Sequence, residues 1–575
     1  MQELLAQTQT AAQQAIDRLL ALRKDFGGWT GEPAPSAPAT AAVVCALAGL
    51  EREGIPAGIE AASAIRAGLD WLARNANPDG GWGDTPLSFS NLSATALAWA
   101  AFGTVPGADQ QYASCVQVSE KWFVANIGGV DAARLTDAIL ARAGKDRTLA
   151  GPVLAACALA GRLGQPDQAW RHVPQFPFEL AVCPHAWLPL FQPPVSSCGL
   201  PMLIAVGQAR HVHCPTWNPI ARIARRMAQG RTLEWLGRIQ SPSGGFLESV
   251  LWTALVTMSL AGGGHATHPV VHRGAMFLLK SHRPDGSWAA HPNFATRLTA
   301  LSVNVLAGSE GPDAVAVWLD GEARARIASW LLEQQHKTEH PCTHTPPGVW
   351  AATDLPSSVP DAEDTAVTLL ALYNLGDRNQ SIREAAQRGM EWLLALQNAD
   401  GGIPSFCRGW THLPLDRSGP DLTAQTVRAW IAWRDEMPAL FKSKLDQAIP
   451  RALNYLGRTM REDGTWVPLW LGKPWHPAGE NSVCGTALVV AAMRDALLAG
   501  YNQAGLRLAE GTRALVKRQL DDGGWNSGAP NGPSSMEETA LAIEALAAVT
   551  GTPDTRPFLR DPSPALDRGL PWLMT

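Results

Sequence analysis

The 575-residue chain reads as an all-α protein. Three observations predict this. A helix-like segment, a glycine-rich turn and a second helix-like segment recur along the chain. Alternating apolar and polar runs bounded by turn signals, the mark of strands, are nearly absent. Tryptophan is in excess, 23 against 4 tyrosines, and the recurring turns account for part of it.

The turns are read in order as Lys24-Asp25-Phe26-Gly27-Gly28-Trp29, Asn77-Pro78-Asp79-Gly80-Gly81-Trp82, Gln240-Ser241-Pro242-Ser243-Gly244-Gly245-Phe246 and Arg283-Pro284-Asp285-Gly286-Ser287-Trp288. The second half adds Gln397-Asn398-Ala399-Asp400-Gly401-Gly402-Ile403, Arg461-Glu462-Asp463-Gly464-Thr465-Trp466 and Gln519-Leu520-Asp521-Asp522-Gly523-Gly524-Trp525. Glycine supplies the positive φ that ends one helix and enters the next. The aspartate is placed to bond backbone N–H groups of the turn. After several turns a helix opens on small or capping residues, as at Ser93-Ala94-Thr95, Thr423-Ala424-Gln425-Thr426 and Glu538-Thr539-Ala540. Units of this kind bury their faces only by stacking on each other. Their irregular spacing fits a closed barrel with long loops better than an open solenoid.

Composition bounds the function. The length predicts two domains, with a boundary near 280 to 290. A net charge of −5 and a pI near 6.3 give no reason to expect nucleic acid. Nine cysteines without a C-x-x-C pair suggest reduced thiols and an intracellular setting. The amino-terminal stretch lacks a basic segment followed by an apolar one, so no signal peptide is expected, and no run is long enough to span a membrane. Two regions depart from the repeat. Residues 174 to 206 are apolar and interrupted by proline, so they suit burial or a dip into one leaflet. The basic residues Arg222, Arg225, Arg226 and Arg231 follow, either as a solvated helix face or as a partner for anionic headgroups. Residues 336 to 360, rich in Pro, His and Thr, lead into an acidic stretch.

That stretch is Pro360-Asp361-Ala362-Glu363-Asp364-Thr365-Ala366-Val367. It predicts a helix start with Asp361 as N-cap and Asp364 at N3. Burial and neighbouring anions raise a carboxyl pKa there, while the helix N-terminus lowers it. The stretch therefore reads either as a capping box or as a carboxylic acid held for chemistry.

The turns together with Asp361-Ala362-Glu363-Asp364 resemble the squalene–hopene cyclase family of class II triterpene cyclases, with its QW repeats and Asp-x-Asp-Asp acid motif. The resemblance covers most of the chain. It implies two α/α barrels of the α6–α6 toroid type around a central apolar cavity. The implied domains are an N-terminal helix over 1–24 packed on the second barrel, a first barrel over 25–285 with a membrane-dipping segment near 174–206, and a second barrel over 286–575 bearing the acid motif. Carried over position by position, Glu363 falls on the proton donor, Asp361 and Asp364 on the flanking acids, and His412 on the histidine that orients the acid. Trp470, Phe406, Phe294 and Trp350 fall on or beside aromatic positions of the cavity, whose ring faces stabilise cations by about 0.5–2 kcal/mol each. The implied activity is protonation and cyclisation of squalene or a similar linear isoprenoid, with no cofactor and no metal. The implied setting is peripheral, on the cytoplasmic side of a membrane, with a homodimer as a possible assembly.

The departures from the family pattern are specific. Glutamate stands at residue 363 in place of aspartate. Cys484 stands where the family has a tyrosine, Ala352 where an aromatic is expected, and Cys198 where a cavity tryptophan is expected. The final helix, Ala565 to Leu573, is not followed by the family's last turn and Phe-rich tail. Other readings are a cyclase of a prenyl diphosphate, a non-catalytic isoprenoid-binding barrel, and a zinc-dependent prenyltransferase β-type subunit using His211-Val212-His213-Cys214.

Overall fold

The computed structural model describes residues 2–55, 58–183, 187, 197–406, 416–469, 480–528, 532–550 and 561–574. Among these the only non-helical pairing is a set of isolated bridges, such as Pro35 with Ala289, Ile403 with Gly419 and Gln519 with Trp525.

The buried apolar residues fall into two cores. In the first, the helices Ala37–Arg52, Leu92–Thr104, Ala150–Leu159, Leu200–His213 and Val250–Leu260 pack side by side and close on themselves. Each is apolar nearly all round, as an inner helix covered on both sides must be. Amphipathic helices such as Pro269–Lys280 form the outer layer. In the second core the inner helices Ala295–Ala307, Ala362–Asn374, Pro420–Trp433, Ser482–Leu498 and Met536–Thr550 pack side by side in that order. Outer helices such as Gln380–Leu396 and Ala439–Thr459 are amphipathic. The protein is thus an all-α pair of α/α barrels.

The turns are hydrogen-bonded clamps of one design. In five of them the terminal tryptophan donates its indole N–H to the leucine carbonyl ten residues upstream: Trp29 to Leu19, Trp82 to Leu72, Trp288 to Leu278, Trp466 to Leu456 and Trp525 to Leu515. The backbone N–H at that position donates to a threonine hydroxyl on an inner helix, as from Trp82 to Thr95 and from Trp466 to Thr486. Where glutamine opens the unit, its amide donates to a carbonyl in the turn and to one on the next outer helix, as Gln397 does to Gly401 and Ala448. The turn aspartate accepts from a backbone N–H two residues on, as Asp400 does from Gly402. These bonds satisfy polar groups left over at helix ends and tie outer helix, turn and inner helix together. Gly401 has φ of +91°, and a Cβ there would lie 2.4 Å from the Arg451 carbonyl oxygen, so the position requires glycine.

The clamp also decides which turn belongs to which barrel. Trp29, expected in a first barrel beginning at residue 25, is buried in the second core. Trp288, expected in a second barrel beginning at 286, is buried in the first core. Each tryptophan is bound to the helix ten residues before it and stays with that helix. The N-terminal helix Gln2–Ala21 accordingly lays Ile16, Leu19 and Leu20 against the second core.

The 174–206 stretch is not uniform. Residues 184–186 and 188–196 lie outside the described residues. Leu200 to Val206 are interior residues of the first barrel, because Pro201 occupies the first helical turn and the helix runs on into the core. Exposed apolar side chains lie instead at Trp187 and on the next helix, Pro219–Ile239, where Ile220, Ile223 and Met227 share a face beyond Trp217. Of the basic run, Arg225 is buried against Glu179 at 3.1 Å, while Arg222 and Arg226 are exposed. Among the described residues no helix is long and apolar enough to cross a membrane.

Candidate active site

The acidic stretch occupies the inner-helix position of one more turn, Gly348-Val349-Trp350, which a long insertion disguises in the sequence. Trp350 donates its indole N–H to Leu331 and its backbone N–H to the Thr365 hydroxyl, and Gln335 donates to Gly348 and Ala385. Asp361 then donates its N–H to the Trp350 carbonyl at 3.3 Å, and Ala362 donates to Ser405 of the following turn at 2.8 Å. Two clamps therefore hold the start of the Ala362–Asn374 helix.

Asp361 is the N-cap, its side chain accepting from the Asp364 N–H at 2.6 Å. The partner absent from the sequence reading is Arg297, on Ala295–Ala307. It donates through Nε to Asp364 Oδ1 at 2.5 Å and through Nη2 to Asp364 Oδ2 at 3.0 Å. The same Nη2 lies 3.2 Å from Glu363 Oε2 and 3.8 Å from Asp361 Oδ2. One signal pointed to it: Arg297 is the only charged residue in the helix ATRLTALSVNVLA.

Electrostatics follow from three carboxyls around one guanidinium. Burial opposes the charge on Arg297, yet the carboxylates, Asp364 foremost, hold its pKa well above the ordinary value. Burial pushes Asp361 well above the usual aspartate range, and the Asp364 charge adds to the effect. Burial also raises Glu363, against the pull of Arg297 and with Asp421 adding to the rise, while the Gln425 side chain bonds it. Burial keeps the neighbouring His291 neutral by lowering its pKa.

A cavity of about 640 Å³ lies between the barrels and reaches this cluster. The first barrel contributes Leu92, Leu247 and Trp252, and the second contributes Phe294, Phe406 and Asp361. Arg142 and Leu149, both exposed, also line it. Phe294 and Phe406 are on the wall as expected from sequence, and so are Cys198 and Ala352, the two positions where small residues replace expected aromatics.

Other candidates fall elsewhere. Trp350 is fully buried in the second core and is not among the described lining residues, because its indole is committed to the turn clamp. Cys484 is buried near Glu363 inside the second barrel, and it too is not among the described lining residues; burial raises its thiol pKa and keeps it neutral. His412 and Trp470 lie outside the described residues. His213, one of the residues considered for zinc, bonds the Gly262 carbonyl and stacks on Trp170 at 4.5 Å. Among the described residues no three His, Cys, Asp or Glu are grouped to hold a metal ion.

The described scaffold is two α/α barrels with an acid cluster on the wall of an apolar cavity. Over 99% of this chain and 93% of the other, the fold matches ent-copalyl diphosphate synthase from Streptomyces platensis, with a TM-score of 0.57 at 17% sequence identity. Residues 295–556 match the family model described as the squalene–hopene cyclase C-terminal domain. The whole chain is 25% identical, over 690 aligned positions, to 47% of the terpene cyclase–glycosyl transferase fusion protein fsoA of Humicola fuscoatra. A stretch covering 40% of the chain is 28% identical to 34% of a squalene–hopene cyclase of Zymomonas mobilis. The second half of the chain is thus similar to the C-terminal domain of squalene–hopene cyclases. It spans about half or less of the length of these curated relatives.

Proposed function

We propose that this protein is a class II terpene cyclase that protonates squalene or a similar linear isoprenoid and closes it into a polycyclic triterpene. The observation that carries the reading is an apolar cavity with Asp361 and Arg297 of the buried carboxyl cluster on its wall. A volume of about 640 Å³ is in the range of pockets that enclose a ligand of this size. A neutral carboxylic acid at the end of such a cavity transfers its proton to a terminal alkene, giving a tertiary carbocation and a carboxylate. The alkenes along the folded chain then attack in turn, and loss of a proton ends the sequence. The Phe294 and Phe406 rings supply π-faces along the wall, which attract cations without bonding to them. Glu363 occupies the position of the family's donor, with Asp361 and Asp364 flanking it.

The test is incubation of the purified chain with squalene, followed by gas chromatography and mass spectrometry of the extracted lipids. A product isomeric with squalene is expected. A product from geranylgeranyl diphosphate instead would reassign the substrate class, and no product from either would remove the cyclase reading.

We further propose that the protein works at a membrane surface, where a water-insoluble substrate resides. Support comes from the apolar face Trp217, Ile220, Ile223 and Met227, flanked by exposed Arg222 and Arg226. An apolar stripe edged with arginine suits an interfacial helix on anionic lipid.

A further inference from the structure

Two neighbouring residues of the first barrel hold a backbone shape that their side chains disfavour. Leu247 and Glu248 have φ of +55° and +49°. The Ser249 N–H donates to the Phe246 carbonyl at 3.0 Å, so the pair forms the middle of a two-residue turn. Positive φ at both central positions is the pattern of a type I′ turn, where Asn-Gly is the usual pair. Residues with a Cβ adopt this shape only at a cost, and the strain persists where the surroundings impose it. The pairs that follow other clamped tryptophans, Ala289-Ala290, Ala351-Ala352, Val467-Pro468 and Asn526-Ser527, carry no positive φ.

We propose that Leu247 is a specificity-determining residue of the proposed cyclisation, held on the cavity wall by the strained turn, where its side chain shapes the fold of the isoprenoid. The proposal rests on the cyclase reading and names a residue that selects the product.

The cavity gives the first argument. Leu247 lines it together with Trp252, from the helix that follows, and Phe294, from the second barrel. Cys198 and Ala352 line the same cavity and add little bulk. A hydrocarbon offers no hydrogen bonds, so contact with the wall alone directs how it folds. Even one methylene on such a wall changes discrimination by about 10–200-fold. Glycine at residue 247 would form the same turn without strain. What leucine adds is the side chain on the wall.

The turn is also fixed from both flanks. In the turns built on aspartate, the carboxylate accepts from a serine hydroxyl further along, as Asp79 does from Ser90 and Asp400 from Ser418. Here the two groups are exchanged. Ser243 takes the aspartate's place and accepts from the Gly245 N–H at 3.1 Å. The fully buried Glu248 supplies the carboxylate, its Oε2 accepting from Ser243 Oγ at 2.9 Å. On the other flank, Ser249 Oγ and the Val250 N–H both donate to the Ala290 carbonyl, at 3.1 and 2.9 Å. The His291 imidazole donates to the Glu248 carbonyl, and its ring centre lies 5.5 Å from that of Phe294. The backbone that carries Leu247 is thereby tied to the chain that delivers Phe294 to the same cavity.

The experiment compares Leu247→Gly, Leu247→Ala and Leu247→Met in the full chain. Glycine removes both the side chain and the strain, alanine removes only the side chain, and methionine keeps nearly the same volume. Leu247→Gly is expected to melt at a higher temperature than Leu247→Ala, the reverse of the order at an ordinary buried leucine. The ordinary order, or equal melting, would overturn the proposal. With squalene, or whichever isoprenoid the wild type converts, both small variants are expected to lower the main product at least about tenfold relative to new isomers. Leu247→Met is expected to keep the wild-type profile. An unchanged profile in Leu247→Gly would leave Leu247 a packing residue and overturn its role. Binding of squalane, the saturated analogue that no acid can protonate, reads the same contact without turnover, through quenching of tryptophan fluorescence. Leu247→Gly is expected to bind it about tenfold more weakly. A wild type inactive on every isoprenoid defeats the cyclase reading, whereas equal squalane affinity in wild type and Leu247→Gly defeats the role of Leu247.

Discussion

Arg297 grips Asp364 through two bonds, Nε to Oδ1 at 2.5 Å and Nη2 to Oδ2 at 3.0 Å, across 67 residues of sequence. This pair joins the first inner helix of the second barrel to the helix that carries the acids, and it sets the charge of the whole cluster. Arg297→Met leaves the fully buried Asp364 without a counter-charge. The expected loss is about 3–5 kcal/mol of stability, the range for breaking one side of a buried ion pair, measured by urea unfolding. Arg297→Lys is expected to recover only part of it, because an ammonium cannot reproduce the two-bond fork.

The raised carboxyl pKa values give a signed pH dependence. Asp361 and Glu363 lie above their ordinary values of 3.8 and 4.5. A carboxyl whose folded value is raised adds stability that is complete below the unfolded value and lost as pH rises through the folded value. The wild type should therefore lose stability, relative to the double variant Asp361→Asn/Glu363→Gln, as pH rises from about 4. Unfolding free energies across that range check this, and a pH-independent gap would contradict it.

Gly401→Ala tests the turn design. The position has φ of +91°, and its new Cβ would meet the Arg451 carbonyl oxygen at 2.4 Å. A destabilisation above about 1 kcal/mol is expected. Gly49→Ala, in the last turn of the Ala37–Arg52 helix with open space around the added Cβ, should instead stabilise by up to about 0.5–1 kcal/mol. The two thermal melts should move in opposite directions.

Ala352 is the cavity residue where bulk is missing. Ala352→Phe should narrow the cavity and shift the product distribution toward earlier termination, with little change in melting temperature. Product profiles measure this, and an unchanged profile and rate would take Ala352 off the path of the substrate.

Membrane attachment predicts that the wild type floats with phosphatidylglycerol vesicles and that Ile220→Glu/Ile223→Glu does not. Both side chains are exposed, 78% and 60%, so the fold should tolerate the change. Equal flotation of both proteins would remove this face from the membrane.

Much of this protein is determined locally and is therefore legible in sequence. Glycine at positive φ, aspartate on the backbone of its own turn and an apolar helix on either side are short-range constraints, so the all-α class and seven of the turns can be read directly. The N-cap role of Asp361 is local in the same sense, and it appears where expected. The eighth turn is hidden because the insertion before Gly348-Val349-Trp350 separates it from its helix, and Trp350, the aromatic nearest the family position at Ala352, is held in that turn.

What only the tertiary structure decided depends on contacts between distant helices. Arg297 reaches the acids from 64 to 67 residues away, and nothing in the residues around it says which carboxyls it will meet. The assignment of Trp29 and Trp288 to opposite barrels, the small residues Cys198 and Ala352 on one cavity wall, and the exposure of Asp361 to that cavity are of the same kind. The sequence by itself determined that carboxyls would crowd at a helix start. Which of them faces the cavity, and which faces the cation, was decided by packing, because burial and distance to a charge are properties of the assembled barrels.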